Sequence, residues 1–555
     1  MTRWFSLPAF LLAAIPVAVV WILAGRPIAI PDGVGKAIPC VSYTPFRGNQ
    51  TPFDETLVVA PGQIEDDLGR LAAAGIGCVR TYSVDQGLER VPEIAARHGI
   101  AVLLGAWIGR EPAKNQGQLE AAVRLANAHP GTVRAVIVGN EVLLRRERTT
   151  ENIAADLAWM RARTSVPLTY ADVWEFWLRN PSLAASVDFV TIHILPYWED
   201  DPVANADAAG YVIEIWRKMR AAFPGHNIFL GETGWPSAGR MREGARPGRI
   251  EQARFLRAFS HLAAQENGLE YNLIEAFDQP WKRAAEGTVG GHWGVFDEQR
   301  RAKFPWTGPI AAQPEWRARL AATEILALAL FAAAFGRPLP AGRWLALAIL
   351  AQSAATVFVV QAEFVFVSSR TALEWAIGAG GLALGLMVAG VASFCLARGF
   401  GDAARPPPVA GTLSWLARPR MDSLDLALVF GIVRFAFLFA AVVQTLGLLF
   451  DGRYRGFPVA GYILPAAIFA VMACLGGGGQ KSGVAASESS RQIYIGGGDS
   501  PAADSSGLAL ALVLAAGGIA VAVIEGPANH QALGWTLTAL MLALPWLIRG
   551  HRRNP

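Results

Sequence analysis

Two periodicities divide this chain. Between residues 31 and 312, short apolar runs rich in β-branched residues alternate with stretches whose apolar and charged positions recur at helical spacing. Outside that window, apolar runs of about 20 residues dominate. The β-rich runs are Ile38–Tyr43, Cys78–Tyr82, Ala101–Trp107, Val133–Gly139, Pro167–Asp172, Phe189–Ile194, Asn227–Gly231 and Leu269–Ala276. Between them, Asp66-Asp67-Leu68-Gly69-Arg70-Leu71 and Ile250–Ala264 show charged and apolar faces, and Pro130 and Pro224 close two further helical stretches. Eight strand–helix units in about 280 residues predict an α/β fold, a (β/α)8 TIM barrel. Chemistry in such a barrel gathers at the carboxyl ends of the strands.

The long apolar runs predict helices that cross a bilayer, at about 5–24, 318–335, 343–361, 373–396, 424–449, 458–475, 508–524 and 533–548. The domains expected are thus an N-terminal transmembrane anchor over 1–30, the barrel over 31–312, and a fused all-α bundle of seven transmembrane helices over 313–555. A Gly/Ser-rich stretch, 476–507, reads as a flexible cytoplasmic loop. The first apolar run, with Arg3 before it and Ala24-Gly25 after it, also suits a cleaved signal segment, but its length favours an anchor, and either reading exports the barrel.

Charge sharpens this division. The sequence is 53% hydrophobic and 17% charged, too apolar for a soluble protein of 555 residues. Residues 31–312 hold 30 Lys/Arg and 33 Asp/Glu, leaving 19 and 12 for the other 273 residues. A slightly acidic barrel with no basic stripe excludes nucleic acid as a partner. Lys and Arg in short loops favour the cytoplasm. With both termini cytoplasmic, the inner segments hold Arg3, Arg337, Arg343, Arg398, Arg405, Arg418, Arg420, Lys481, Arg491, Arg549, Arg552 and Arg553; the outer ones hold Arg317, Arg319, Arg370, Arg453 and Arg455. The barrel then lies outside the cytoplasm, on the periplasmic side of a bacterial inner membrane. There Cys40 and Cys78, in adjacent predicted strands, are free to bond, although two buried thiols packed as small hydrophobes are the simpler reading. The eight histidines show no ligand spacing, so neither a metal nor another cofactor is expected. Gly476-Gly477-Gly478-Gly479-Gln480-Lys481-Ser482 carries Gln where a phosphate loop needs Gly and is set aside.

Two strand ends finish in glutamate: Val138-Gly139-Asn140-Glu141 on the fourth and Gly231-Glu232-Thr233-Gly234-Trp235-Pro236-Ser237 on the seventh. One such Glu is usually a salt-bridged structural residue. Two on one rim suit glycoside hydrolysis, in which one carboxyl protonates the leaving oxygen and the other meets the oxocarbenium-like carbon. Aromatic rings that could stack on sugars cluster at the strand ends and rim loops, with Tyr43, Tyr82, Trp174, Tyr197 and Trp281 the leading substrate-binding candidates, beside Trp235, Glu275 and Lys282. Tyr170, Trp107, Phe176, Trp177, Trp198 and Trp293 extend the set, any of which could instead be core.

These two segments resemble the acid/base and nucleophile motifs of glycoside hydrolase family 17, the β-1,3-glucanases and β-glucan glucosyltransferases. Glu275-Ala276-Phe277-Asp278-Gln279-Pro280-Trp281-Lys282 and His292-Trp293-Gly294-Val295-Phe296 are similar to the eighth-strand region of its fungal members. The resemblance covers about residues 38–306. It implies Glu232 as nucleophile and Glu141 as general acid/base of a retaining mechanism, with carboxyl groups about 5–5.5 Å apart and Glu232 raising the pKa of Glu141. It also implies that Asn140 binds the sugar 2-hydroxyl and that Tyr197 orients Glu232. The function expected is a membrane-anchored glycosidase or transglycosylase on β-1,3-glucan that branches or cyclises periplasmic glucan, with a glucan synthase as a candidate partner. The alternatives are a non-catalytic glucan-binding or export scaffold and a synthase subunit. In the helical half, Arg434 is expected to pair with an acid such as Glu324, and outer turns bearing Glu363, Asp451, Arg453, Glu525 and Asn529 either sit at headgroup level or hold the glucan.

Overall fold

The computed structural model describes residues 5–35, 38–332, 334–335, 337–398, 407–419, 426–476 and 504–551. Arg3, Arg405, Arg420, Lys481, Arg491, Arg552, Arg553 and nearly all of the 476–507 loop lie outside them. The chain forms two compact units, Pro27–Ala312 and Met1–Arg26 with Gln313–Pro555.

The helix α1 (Ser6–Gly25) precedes the barrel unit, whose strands are β1 (Val41–Ser42), β2 (Cys78–Arg80), β3 (Ala101–Ala106), β4 (Val133–Asn140), β5 (Leu168–Val173), β6 (Val190–His193), β7 (Ile228–Thr233) and β8 (Glu270–Leu273). They close a barrel in sequence order, all pairs parallel, with β1 bonded to both β2 and β8. The eight predicted runs are these eight strands. Their successive side chains are buried on both faces, as a sheet wrapped by helices requires. The helices α2 (Pro61–Ala73), α3 (Val91–Arg97), α4 (Pro112–Ala128), α5 (Thr150–Arg161), α6 (Trp174–Arg179), α7 (Asn205–Ala222), α8 (Arg249–Ala263) and α9 (Arg283–Gly290) complete the unit. Their apolar stripes explain the packing: α2 buries Ile64, Leu68 and Leu71, and α8 buries Ala253, Leu256, Phe259 and Ala263. Pro opens α2, α3 and α4, where its missing N–H costs nothing, and Thr149 caps α5 in a reciprocal box with Asn152.

Cys40 and Cys78 form a disulfide, with Cα atoms 4.4 Å apart, which corrects the expectation of two free thiols. The register pairs Val41 with Val79, so the residues just before them lie side by side across the parallel ladder.

The helical unit comprises α1, α10 (Trp316–Ala332), α11 (Ala341–Ser368), α12 (Ala372–Arg398), α13 (Val409–Ala417), α14 (Leu426–Phe450), α15 (Val459–Gly476), α16 (Ser505–Glu525) and α17 (His530–His551). Among the described residues, six helices are long and apolar enough to cross a membrane: α1, α11, α12, α14, α16 and α17. The spans expected near 318–335 and 458–475 do form helices. However, α10 has 17 residues and opens on Arg317 and Arg319, whereas α15 has 18. The short helix α13 appears in a stretch read as hydrophilic. Arg434 does not meet Glu324: its guanidinium lies 4.6 Å from the Trp546 ring centroid and donates to the Pro407 carbonyl, whereas Glu324 accepts from Gln352 at 2.8 Å. Asn529 and Glu525 are buried and bonded to each other at 2.8 Å, and Asp451 pairs with Arg455. Packing thus occupies Asn529 and Glu525, whereas the Asp451–Arg455 pair stays exposed.

Candidate active site

The barrel's carboxyl-end rim is built by irregularities in the ladder. The β4–β5 register shifts between Ile137 and Asn140, Gly139 adopts φ +89°, and Glu141 follows in the left-handed region at φ 53°. A Cβ at Gly139 would sit 2.8 Å from Val142 Cγ2, so the turn admits glycine alone without local movement. The Glu141 amide still reaches the Ala171 carbonyl at 2.8 Å, which holds the strained residue at the mouth. A second shift, between Ile192 and His193, sets His193 opposite Glu232 on β7. Such bulges re-aim side chains at strand ends.

Glu232 is buried and ringed by donors. Arg80, from the end of β2, donates through Nη1 to Glu232 Oε1 at 2.6 Å and to the Gly231 carbonyl at 3.0 Å, and through Nη2 to Asn140 Oδ1. The Tyr82 hydroxyl donates to the same Oε1 at 2.8 Å. Burial opposes charge on Glu232, but the His193 ring, Arg80, Lys282 and the Tyr82 hydroxyl outweigh it and hold the carboxyl below its usual range. Burial and the neighbouring Glu232 in turn push the Tyr82 hydroxyl well up, so it stays a donor.

Glu141 is more open, its side chain 22% exposed against 6% for Glu232. His193 Nδ1 lies 2.8 Å from Glu141 Oε1, and one carboxylate oxygen from each Glu falls within 4.8 Å of the other and of the ring. That separation matches a pair with no room for an intervening water and is shorter than the 6.5–9.5 Å of an inverting pair. The same three groups could hold a metal ion by spacing alone, but Arg80 and Lys282 already supply positive charge to Glu232. Behind Glu141, Asp172 accepts from the Leu143 amide at 3.2 Å and from the Tyr170 hydroxyl, and burial raises its carboxyl to about 6. On the β8 side, Lys282 Nζ donates to Glu275 Oε1 at 2.9 Å; burial pushes Glu275 up to about 7 despite that ammonium group.

The rings separate into two sets. Tyr43, Tyr197 and Trp235 were expected to bind substrate but are core residues, each at most 1% exposed. Tyr43 sits edge-on to Phe277 with its hydroxyl on Asp67, and Trp235 donates to the Arg246 carbonyl. Tyr197 is packed edge-on to Trp198, Trp235 and Trp293 and donates to the Arg240 carbonyl at 2.7 Å. The hydroxyl on Glu232 therefore comes from the turn after β2, through Tyr82, and not from the β6 loop. Tyr170, Trp177 and Trp293 are buried as well. Accessible rings remain on both sides of the glutamates. Trp281 lies edge-on to Phe46 and to the exposed Phe53, and the exposed Trp107 lies under the Arg145 guanidinium at 4.2 Å. Trp174, also expected to bind substrate, is buried; it carries Lys218 at 4.3 Å from its ring centroid and donates to Glu199, which burial pushes up to about 7.

Asn140, Glu141, Tyr82, Glu232, Glu275 and Lys282 thus converge on one mouth. Arg80 and His193 were not singled out from sequence, although Cys78-Val79-Arg80 and Thr191-Ile192-His193 both end an apolar strand in a polar residue. The same signal drew attention to the glutamates.

Residues 40–294 match the BtgE/BtgC glycoside hydrolase domain family. A probable β-glucosidase btgE of Aspergillus clavatus is 26% identical over 277 residues, 48% of this chain and 47% of that protein. The chain thus spans about half the length of that relative. The glucan 1,3-β-glucosidase of Candida albicans is 26% identical over 249 residues, 41% of this chain and 80% of that protein. Among solved structures, the family 17 β-1,3-glucanosyltransferase of Rhizomucor miehei matches with a TM-score of 0.42 and 24% identity over 48% of this chain and 96% of that one. Over residues 40–294 the barrel is thus similar to the BtgE/BtgC glycoside hydrolase domain and to these fungal glucosidases.

Proposed function

We propose that the chain is a membrane-anchored retaining enzyme that cleaves and rejoins β-1,3-linked glucan. Glu232 is the nucleophile and Glu141 the general acid/base. The observation that carries this reading is a charge-stabilised, buried Glu232 with an oxygen within 4.8 Å of one on the half-open Glu141. In the first step Glu232 attacks the anomeric carbon while Glu141 protonates the leaving oxygen. In the second, Glu141 takes the proton of an incoming hydroxyl as the ester breaks. Asn140, with Oδ1 held by Arg80, has its amide donors left for a sugar hydroxyl. Trp281 is a platform, Glu275 and Lys282 polar contacts. The glucan is supported as substrate by the names of the Candida relative and the Rhizomucor enzyme, the latter also solved as an active-site mutant with laminaritriose.

Transfer to a sugar acceptor, giving branched or cyclic glucan, is favoured over hydrolysis because tethering beside a nascent polymer raises the local acceptor concentration. The setting is the inner membrane of a bacterium, with the barrel on the periplasmic side and a glucan synthase as neighbour. The full-length protein in detergent, incubated with a β-1,3-glucan oligosaccharide, is expected to yield longer or cyclic products by mass and linkage. A 2-deoxy-2-fluoro glucosyl donor is expected to label Glu232. No label on Glu232 in protein that turns the glucan over would remove the assignment.

A further inference from the structure

One ring joins the two glutamates, and the mechanism above gives it no part in the second half-reaction. His193 is 1% exposed. Its Nδ1 stands 2.8 Å from Glu141 Oε1, and its Nε2 stands 3.3 Å from Arg80 Nη1 and 3.7 Å from Glu232 Oε1. The charged groups that face it come from four strands: Arg80 on β2, Glu141 at the end of β4, Asp172 on β5 and Glu232 on β7. The Gly231 backbone lies against the ring, where a side chain would crowd it. A Cβ at Gly231 would already lie 3.3 Å from His193 Nε2.

We propose that His193 is a positioning residue for the second half-reaction, in which the glycosyl-enzyme is resolved. This rests on the assignment of Glu232 and Glu141 above. Arginine has only donors, so an Nε2 beside Arg80 presents its lone pair there and the ring proton sits on Nδ1; the imidazolium carries a proton on Nδ1 too. In either form Nδ1–H points at Glu141 Oε1. A bond donated to a carboxylate is about twice as strong as one donated to a neutral acceptor, so His193 supports Glu141 more as the base than as the acid. In the resolving step the incoming hydroxyl oxygen bonds to the anomeric carbon. The bond from that carbon to the Glu232 oxygen breaks with its electron pair returned to Glu232, and the hydroxyl proton passes to Glu141. That step needs Glu141 ionised and aimed. Esterification also removes the charge on Glu232, and Arg80 Nη1, relieved of that partner, is left to Gly231 and to His193 Nε2.

The test is a KM-against-kcat split on the full-length protein with an aryl β-laminaribioside bearing a good leaving group, for which cleavage needs no proton from Glu141. His193→Ala is expected to lower kcat by about 10- to 100-fold and kcat/KM by distinctly less, through the ring's support of the Glu232 charge, so that KM falls. A burst of aryl alcohol reports accumulated glycosyl-enzyme. His193→Asn, whose amide can donate from the Nδ1 position, is expected to restore most of kcat; His193→Gln, which substitutes for Nε2, is not. If kcat and kcat/KM fall together without a burst, or if the Asn and Gln variants behave alike, the proposal is overturned. Labelling of wild-type Glu232 by the fluorosugar separates the two failures: no label removes the assignment of Glu232, whereas a label without the split removes the role of His193 alone.

Discussion

At the residue scale, Glu232 keeps its charge in a buried site because three cationic or ring neighbours and one hydroxyl act on a single carboxyl. Glu232→Gln is expected to lower kcat/KM on glucan by more than about 10³-fold, because no nucleophile remains. Glu141→Gln is expected to lose about 10²- to 10⁴-fold on glucan but far less on the cleavage of an activated aryl glycoside. The two tyrosines give a sharper comparison. Tyr82→Phe removes a hydrogen bond to a charged group, a loss of about 1.5–3 kcal/mol, and is expected to lower kcat/KM by about 10- to 100-fold with little change in Tm. Tyr197→Phe removes the bond to the Arg240 carbonyl and is expected to lower Tm with kcat/KM within about threefold. Equal activity losses in both variants would return the orienting role to Tyr197.

At the element scale, strand ends decide what reaches the mouth. The shift at Ile137/Asn140 and the left-handed Glu141 project the proposed acid/base from β4, and Asp172 on β5 holds the following turn. Because burial raises Asp172 to about 6, the folded chain holds a proton there that the unfolded chain, with an ordinary value of 3.8, releases earlier. This contribution to stability is complete below about pH 4 and is lost as pH rises through 6. Asp172→Asn, a mimic of the protonated form, is therefore expected to match wild type near pH 4 and to gain relative to it by on the order of 3 kcal/mol at pH 7, read as the Tm difference across pH. At the opposite end of the strands, the disulfide ties β1 to β2, which carry Ser42 and Arg80. It closes a loop with a sequence separation of 38, so Cys40→Ser with Cys78→Ser is expected to cost about 3–4 kcal/mol, measured as a lower unfolding midpoint of the barrel.

At the scale of the whole molecule, periodicity alone carried the architecture. Period-two runs and helical stretches of short wavelength can only become a sheet wrapped by helices, and unbroken apolar runs can only become helices where water is absent. The proposed orientation predicts that protease added to intact spheroplasts cleaves the barrel, whereas inverted membrane vesicles protect it; the reverse pattern would invert the topology. The glutamates were legible because each ends an apolar strand in a motif of known type. The ring assignments were not, since Tyr43, Tyr197 and Trp235 stand as close to strand ends as Tyr82 and Trp281 do. Whether a ring faces the mouth or the layer beneath depends on bulges and on which helix lies behind it, and neither is written in local spacing. The disulfide, the Arg80–Glu232 pair and the His193 bridge are of the same kind. They join residues 38, 152 and 52 positions apart, whose meeting is set by closure of the barrel. The sequence by itself determined the two units, the barrel and its two carboxyl groups, because these follow from local period and from residues placed at strand ends. Only the tertiary structure decided which donors surround each carboxyl, because that depends on register between strands distant in the chain.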